Sequence, residues 1–157
     1  MSLLTDWATD SGEVLLHFSD SAMAVLRAHV QTGQRPEAGG ILLGTVHDHG
    51  MLITHATTPS RFDQQFPFFF SRSPLGHRAV AQRLWRASGG TTRYLGDWHT
   101  HPEDVPSPSG VDLREWQKLA IARNDNRPAL SVIVGRHALH VELMYSSGKR
   151  DQLAAVF

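Results

Sequence analysis

No cysteine occurs anywhere in the 157 residues. That absence excludes disulfides, thiolate nucleophiles and every zinc site built on Cys, leaving His, Asp and Glu as the strong metal ligands. Net charge is missing as well: 15 basic residues balance 15 acidic ones, so no global field draws the chain to nucleic acid or to an anionic membrane surface. Neither is expected as a partner. Nothing in the sequence approaches the ~20 apolar residues of a membrane helix, and the opening MSLLTD lacks the basic stretch and apolar run of a secretory signal. The simplest expectation is a cytoplasmic protein.

The chain does have apolar residues throughout, at 41%, with no segment polar and charged enough for disorder. A chain of this length buries roughly two thirds of its unfolded surface, so residues 1–157 are expected to form a single domain. Strand-forming residues at 14–18 precede a Ser-Asp-Ser cap and a helix over 22–32, with Ala24, Leu26 and Val30 toward the core and Gly33 at its end. Two apolar runs, 39–46 and 51–56, flank the polar turn His47-Asp48-His49-Gly50 and predict a hairpin. A loop over 58–65, a short strand over 66–70 and a helix over 74–88 follow, the helix ended by Gly89-Gly90. A strand over 93–101, a proline-punctuated loop, a helix over 109–124, a second hairpin around Gly135-Arg136-His137 and a terminal strand complete the chain. The sum is an α/β domain in which a mixed, curved sheet with hairpins is flanked by about three helices.

The most informative segment is Trp98-His99-Thr100-His101-Pro102, with Ser109 and Asp112 downstream. Side chains alternate along a strand, so His99 and His101 face the same way and can converge on one ion, and Asp112 can supply an oxygen ligand. Three protein ligands with a fourth position open describe a catalytic zinc rather than a structural one. Ser109-Gly110-Val111-Asp112 equally fits a helix capping box, which competes for the same carboxylate. Hydrolysis also needs a base, and position alone leaves Glu37, Asp97, Glu103 and Asp104 open. An H-E-x-x-H zincin motif is absent, and zinc deaminase chemistry would need a P-C-x-x-C that a chain without cysteine cannot have.

Glu37 ahead of Gly39-Gly40-Ile41-Leu42-Leu43-Gly44, with the spacing H-x-H-x(7)-S-x(2)-D, resembles the JAMM (also called MPN) metalloprotease family. The resemblance runs from about Val14 to Tyr145, and none of its five positions departs from the pattern. It implies a cytidine-deaminase-like MPN fold, His99, His101 and Asp112 as zinc ligands, Glu37 as general acid/base and Ser109 as the donor to the developing oxyanion. Ser107, two residues earlier, does not satisfy the spacing. Tyr94-Leu95-Gly96-Asp97-Trp98 before the histidines and Trp116 after them are most similar to small bacterial JAMM proteins that accompany E1- and E2-like enzymes, including those of CBASS antiphage systems. That implies an isopeptidase acting on a protein with an extended C-terminal tail, either ubiquitin-like or a conjugated cyclic-nucleotide synthase (a nucleotidyltransferase). The alternatives within the family are processing of a ubiquitin-like sulfur carrier and an inactive interaction scaffold.

Other residues have plainer readings. Phe66 to Phe70 suit a buried strand, and Trp98 faces away from the ligands into the core. Trp85 and Trp116, both on helices, could serve packing or substrate. His47, His49 and His55 read as hairpin-turn and surface residues rather than a second metal site. Arg61, Arg72, Arg78 and Arg83 read as a solvated face.

Overall fold

The two ends of the chain meet in the sheet. In the computed structural model, which describes residues 4–33, 35–58, 64–66, 69–71, 74–123 and 125–156, β1 (Asp6–Ala8) lies antiparallel between β2 (Leu15–Phe18) and β10 (Arg150–Ala155). This pairing closes eight strands into a barrel ordered β1-β10-β9-β8-β7-β3-β4-β2, with β3 at Gly39–His47, β4 at Gly50–Ala56, β7 at Arg93–Thr100, β8 at Ala129–Val134 and β9 at Leu139–Met144. The expected curved sheet with hairpins is present, and β1 and β10 carry its curvature to closure, which leaves the eight-stranded sheet no free edge. Among the described residues the helices are α1 (Asp20–Ala28), α2 (Pro74–Ala87) and α3 (Gly110–Ala122).

Strands β8 and β9 are buried at every position because both faces are covered. Leu130, Val132, Val134, Val141 and Leu143 fill the barrel, while Ala129, Ile133 and Met144 pack beneath Trp116 and Ala120 of α3. A continuous apolar run is the signature of a strand covered on both sides. The connection from β7 to its parallel neighbour β8 passes through α3. The segments that carry His99, His101 and Asp112 are thereby set around one end of the β7–β8 pair.

Several expectations need correcting. The first helix begins at Asp20 with Ser19 as its cap and ends at Ala28, before the expected Thr32. Arg35 donates to the Ala28 and Val30 carbonyls at 3.1 and 3.2 Å, satisfying acceptors that a longer helix would have used internally. The earlier start turns Ala22, Met23 and Leu26 inward and leaves Ala24 exposed, while Val30 is buried as expected. In place of one strand over 66–70, β5 (Gln64–Phe66) and β6 (Phe69–Ser71) form a small antiparallel sheet of their own. Pairing within the segment satisfies backbone groups that a lone strand would leave open. The burial expected of Phe66 to Phe70 lies outside the described residues, as do the 59–63 part of the expected loop, Arg61, Arg72 and the Asn124 end of the third helix. Arg78 and Arg83 are exposed.

One charged group lies wholly inside. Glu142 on β9 has no exposed side-chain surface; Arg150 donates to it twice, at 2.7 and 2.9 Å, and His140 Nε2 lies 2.7 Å away. Burial alone would push this carboxyl up, but the bonds from Arg150 and His140 outweigh it and hold the group below its ordinary value. A depressed folded-state value means stabilisation that is present above the unfolded-state value near 4.5 and lost as pH falls through the folded one. Urea unfolding from pH 7 to pH 3 should therefore show a loss of stability that is smaller in Glu142→Gln. Arg150→Ala should cost about 3 kcal/mol at pH 7, the low end for orphaning a buried charge, because Arg150 is itself partly exposed.

Candidate metal centre

Strand alternation sorts the residues at the end of β7. Trp98 and Thr100 turn inward, 1% and 0% exposed, while His99 and His101 face the other way toward α3. Trp98 takes the packing role expected of it and donates from Nε1 to the Thr57 carbonyl at 3.1 Å. Gly39 and Gly40 on β3 sit opposite His99 and Trp98. Gly39 brings no side chain against the imidazole, and a Cβ on Gly40 would lie 2.4 Å from Thr57 O and 2.9 Å from Trp98 Nε1. The Gly-Gly pair thus lets three backbone segments close over the tryptophan.

Thr100, the residue between the two histidines, brings Glu37 to the site. The Ala38 N–H donates to Thr100 Oγ1 at 2.9 Å, the Thr100 N–H donates to Ala38 O at 2.9 Å, and Thr100 Oγ1 donates to Gln31 Oε1 at 3.2 Å. This pair of hydrogen bonds to Ala38 holds the neighbouring Glu37, which is buried with Oε1 4.0 Å from His101 Nε2. Sequence reading passed over Thr100. A hydroxyl residue flanked by two strand histidines was the available signal.

From the other side, Ser109 caps α3. Its Oγ accepts from the Asp112 N–H at 3.1 Å, and Asp112 Oδ2 accepts from the Ser109 N–H at 2.9 Å. The capping box and the ligand position coexist, since Asp112 also places Oδ2 3.3 Å from His101 Nε2 and Oδ1 3.4 Å from His99 Nε2. The two imidazole Nε2 atoms are 3.1 Å apart. Four of the five expected residues, Glu37, His99, His101 and Asp112, come together, and Ser109 stands one helical turn from Asp112.

The donor set fits a metal. A tetrahedral zinc with bonds of ~2.0–2.1 Å requires neighbouring donors ~3.3 Å apart, and the separations among His99, His101 and Asp112 run from 3.1 to 3.4 Å. Glu37, His99 and His101 also hold ligand-type atoms within 4.8 Å of one another, so the histidine pair has a carboxylate on each side. Burial pushes Asp112 up, but hydrogen bonds with His101 and His99 outweigh it and hold the carboxyl well below its usual range. Glu37 is pushed up to about 7 by burial, with His101 opposing and the Asp112 charge reinforcing the rise.

The other carboxylates considered as bases are occupied elsewhere. Glu103 Oε1 lies 2.9 Å from His101 Nδ1, which fixes that ring and leaves Nε2 for the site. Asp104 pairs with Arg136 and His137, and its carbonyl and that of Glu103 accept from the His137 and Arg136 N–H groups, pinning the loop to the β8–β9 turn. Asp97 accepts from the Tyr94 hydroxyl. Trp116 is buried, its ring 6.3 Å from that of His99 and stacked on His140 at 6.2 Å, so it packs against the site. His47, His49 and His55 are exposed, and His47 and His55 bond to neighbouring threonines.

Residues 19–147 match the family model described as prokaryotic homologs of the JAB domain. The chain belongs to this family. Along its whole length it is 52% identical to a protein of Pseudomonas aeruginosa named CD-NTase/cGAS isopeptidase, covering 99% of each chain. A Vibrio cholerae protein of the same name is 30% identical over 79% of this chain and 85% of its own. Among solved structures, a protein of Desulfitobacterium hafniense superposes with a TM-score of 0.65 at 21% identity, covering 88% of this chain and 90% of that one, and so shares the fold.

Two outcomes follow for the metal-free protein. Thr100→Val strands the buried Ala38 N–H and should cost about 1–3 kcal/mol in urea unfolding, whereas Thr100→Ser, which keeps the hydroxyl, should cost about 1 kcal/mol or less. Glu37, with its folded-state value raised, favours folding least once pH exceeds about 7. Glu37→Gln should then raise stability at pH 8 by about 2–3 kcal/mol at most and leave it nearly unchanged at pH 4, as read from unfolding midpoints in the presence of chelator.

Proposed function

We propose that this protein is a zinc-dependent isopeptidase that releases a nucleotidyltransferase of the CD-NTase/cGAS kind from the target to which its C-terminus is joined, in a CBASS-type antiphage setting. The observation that carries this reading is the buried carboxylate of Glu37 standing 4.0 Å from a histidine–aspartate donor set spaced for one tetrahedral ion. Relatives named CD-NTase/cGAS isopeptidase, one matching 99% of this chain and one 79%, support the substrate class. An intact donor set argues against the scaffold alternative. The conjugate would be made by an E1/E2-like pair, and the substrate's extended tail would enter beside the sheet, where main-chain pairing can present an amide without extensive side-chain recognition.

His99, His101 and Asp112 would hold the ion. When bound, zinc supplies a Lewis acid that polarises the scissile carbonyl and acidifies water. Glu37, a buried carboxylate beside the donor set, takes a proton from the attacking water at a side-chain oxygen and returns it to the amine nitrogen as the C–N bond breaks. The capping bond of Ser109 uses a lone pair on Oγ, so its O–H remains available to donate to the carbonyl oxygen as charge gathers there. Glu103 holds His101 through Nδ1 and keeps Nε2 directed at the site.

Glu37→Gln should keep one zinc per chain by elemental analysis and lose about 10²–10⁴-fold in turnover of an amide-linked nucleotidyltransferase conjugate. His99→Ala should lose the metal, and chelation should abolish activity reversibly. A Glu37→Gln protein with wild-type turnover would remove Glu37 from the mechanism. Cleavage of a sulfur-carrier precursor in place of the conjugate would reassign the substrate.

A further inference from the structure

β7 carries His99 near one end and Arg93 and Tyr94 at the other, six residues back, about 20 Å along an extended strand. At that far end the last turn of α2 and the start of β7 enclose a cleft of about 410 Å³ lined by Ala81, Gln82, Trp85, Arg86, Arg93 and Tyr94. Its α2 wall is fixed to the barrel, because buried His77 bonds to Thr57 Oγ1 at 2.6 Å and that same hydroxyl accepts from the Ile41 N–H. Trp85 is 54% exposed. Its indole rests against Gly90, where a Cβ would sit 3.4 Å from the ring and where φ is +89°, a conformation suited to glycine. The ring is thus supported on one side and still open to solvent.

Positive charge collects around this aromatic floor. Arg123 and Arg93 approach Asp125 at 3.0 and 3.9 Å, and the Arg127 N–H donates to the same carboxylate at 3.1 Å. Arg123 lies over the Tyr94 ring at 5.5 Å, and Arg86 adds a fourth guanidinium from α2. Burial and the neighbouring charges of Arg93 and Arg123 hold the Arg127 guanidinium below its ordinary value, so these cations crowd one another. Arg86 and Arg93 line the cleft, while Arg123 is largely buried against Asp125 and the Arg127 guanidinium feels the charges of Arg93 and Arg123. The buried Arg93 Nε has no hydrogen-bond partner among the described residues. The Arg93 side chain as a whole is 40% exposed, so its terminal nitrogens are open to an acceptor entering the cleft.

We infer that this cleft is an exosite, a second binding surface that grips an acidic segment on the folded body of the conjugated protein, with one apolar or aromatic side chain laid on Trp85. This rests on the peptidase reading above and extends it. Trp, Tyr and Arg are the residue types that dominate protein interface hot spots. Trp85 and Tyr94 form one local patch at this cleft, not the succession of platforms along a basic groove that single-stranded nucleic acid uses. The exosite and the metal centre sit at opposite ends of one strand, so a substrate held at both is presented by its body and cut at its tail. Two weak contacts joined by a fixed span bind far better than either alone.

The test compares two amide substrates of the zinc-loaded protein: the whole nucleotidyltransferase conjugate, and a short peptide amide of its C-terminal tail. Trp85→Ala and Arg86→Glu, both at exposed positions, should raise KM for the conjugate about tenfold, with kcat and the peptide kinetics unchanged. The same variants should flatten the rise of the wild-type KM with salt, and Arg86→Lys should restore most of the loss. Equal effects on both substrates, or none on either, would overturn the exosite. If the wild type cleaves neither substrate, the peptidase reading fails, and titration of the unconjugated nucleotidyltransferase into the Glu37→Gln protein still decides the cleft. Binding weakened by Trp85→Ala and Arg86→Glu upholds the surface, and binding indifferent to them rejects it. Tighter, Trp85-dependent binding of a single-stranded oligonucleotide would replace the protein partner with nucleic acid.

Discussion

The double hydrogen bond between Ala38 and Thr100 is the interaction on which the arrangement of this protein turns. It joins residues 62 apart in the chain, lies where water cannot compete for it, and ties the segment before β3 to the strand that carries the histidines. Without it, β3 and β7 could still pair through their glycines, but nothing would fix the approach of the preceding residue. The Thr100 side chain is directed into the interior so that its two neighbours can be directed out. Strand alternation therefore does two jobs in three residues, presenting ligands on one face and anchoring the proton-transfer candidate from the other.

Around that clamp the molecule holds charge where apolar matter would be more comfortable, and each instance has a compensating partner. Glu142 is neutralised by Arg150 and His140, Asp112 by its cap and two imidazoles, and His101 by Glu103. Glu37 is the exception, a buried carboxylate with His101 at the edge of contact and, among the described residues, no bond from a backbone N–H to settle it. Groups held in such discomfort by a rigid frame are typical of sites that work on protons. Barrel closure makes the frame rigid, because a sheet without an edge cannot relieve the strain by fraying.

Much of this was legible in the sequence where the information is local. Alternation on 93–101, the hairpins at 39–56 and 129–144, and the serine cap of α3 follow from short-range rules that tertiary packing did not overturn. Spacing alone marked the histidines and Asp112 as candidate ligands, but only the family resemblance nominated Glu37 over Asp97, Glu103 and Asp104, because its approach depends on a contact across 62 residues. β1 was missed since three residues, one of them charged, carry no periodic signal, and their pairing is dictated by the need to cover β2 and β10. The early end of α1 escaped for a similar reason, because the group that terminates it is an arginine side chain arriving from beyond the helix.

The parallel pairing of β7 with β8 has a consequence in time as well as in space. Parallel neighbours need a crossover, here the whole of α3, and such long-range pairings form late on a folding pathway because loop closure must come first. The candidate ligands His99, His101 and Asp112 all lie at the head of that crossover, before β8, and Glu37 is placed through a contact between residues 62 apart. A chain emerging from the ribosome can display both histidines well before β8 exists to align them, yet it has no assembled cluster to offer an ion. On the proposed peptidase reading, activity would be coupled to completion of the barrel, and a half-made copy of this protein would be a harmless one.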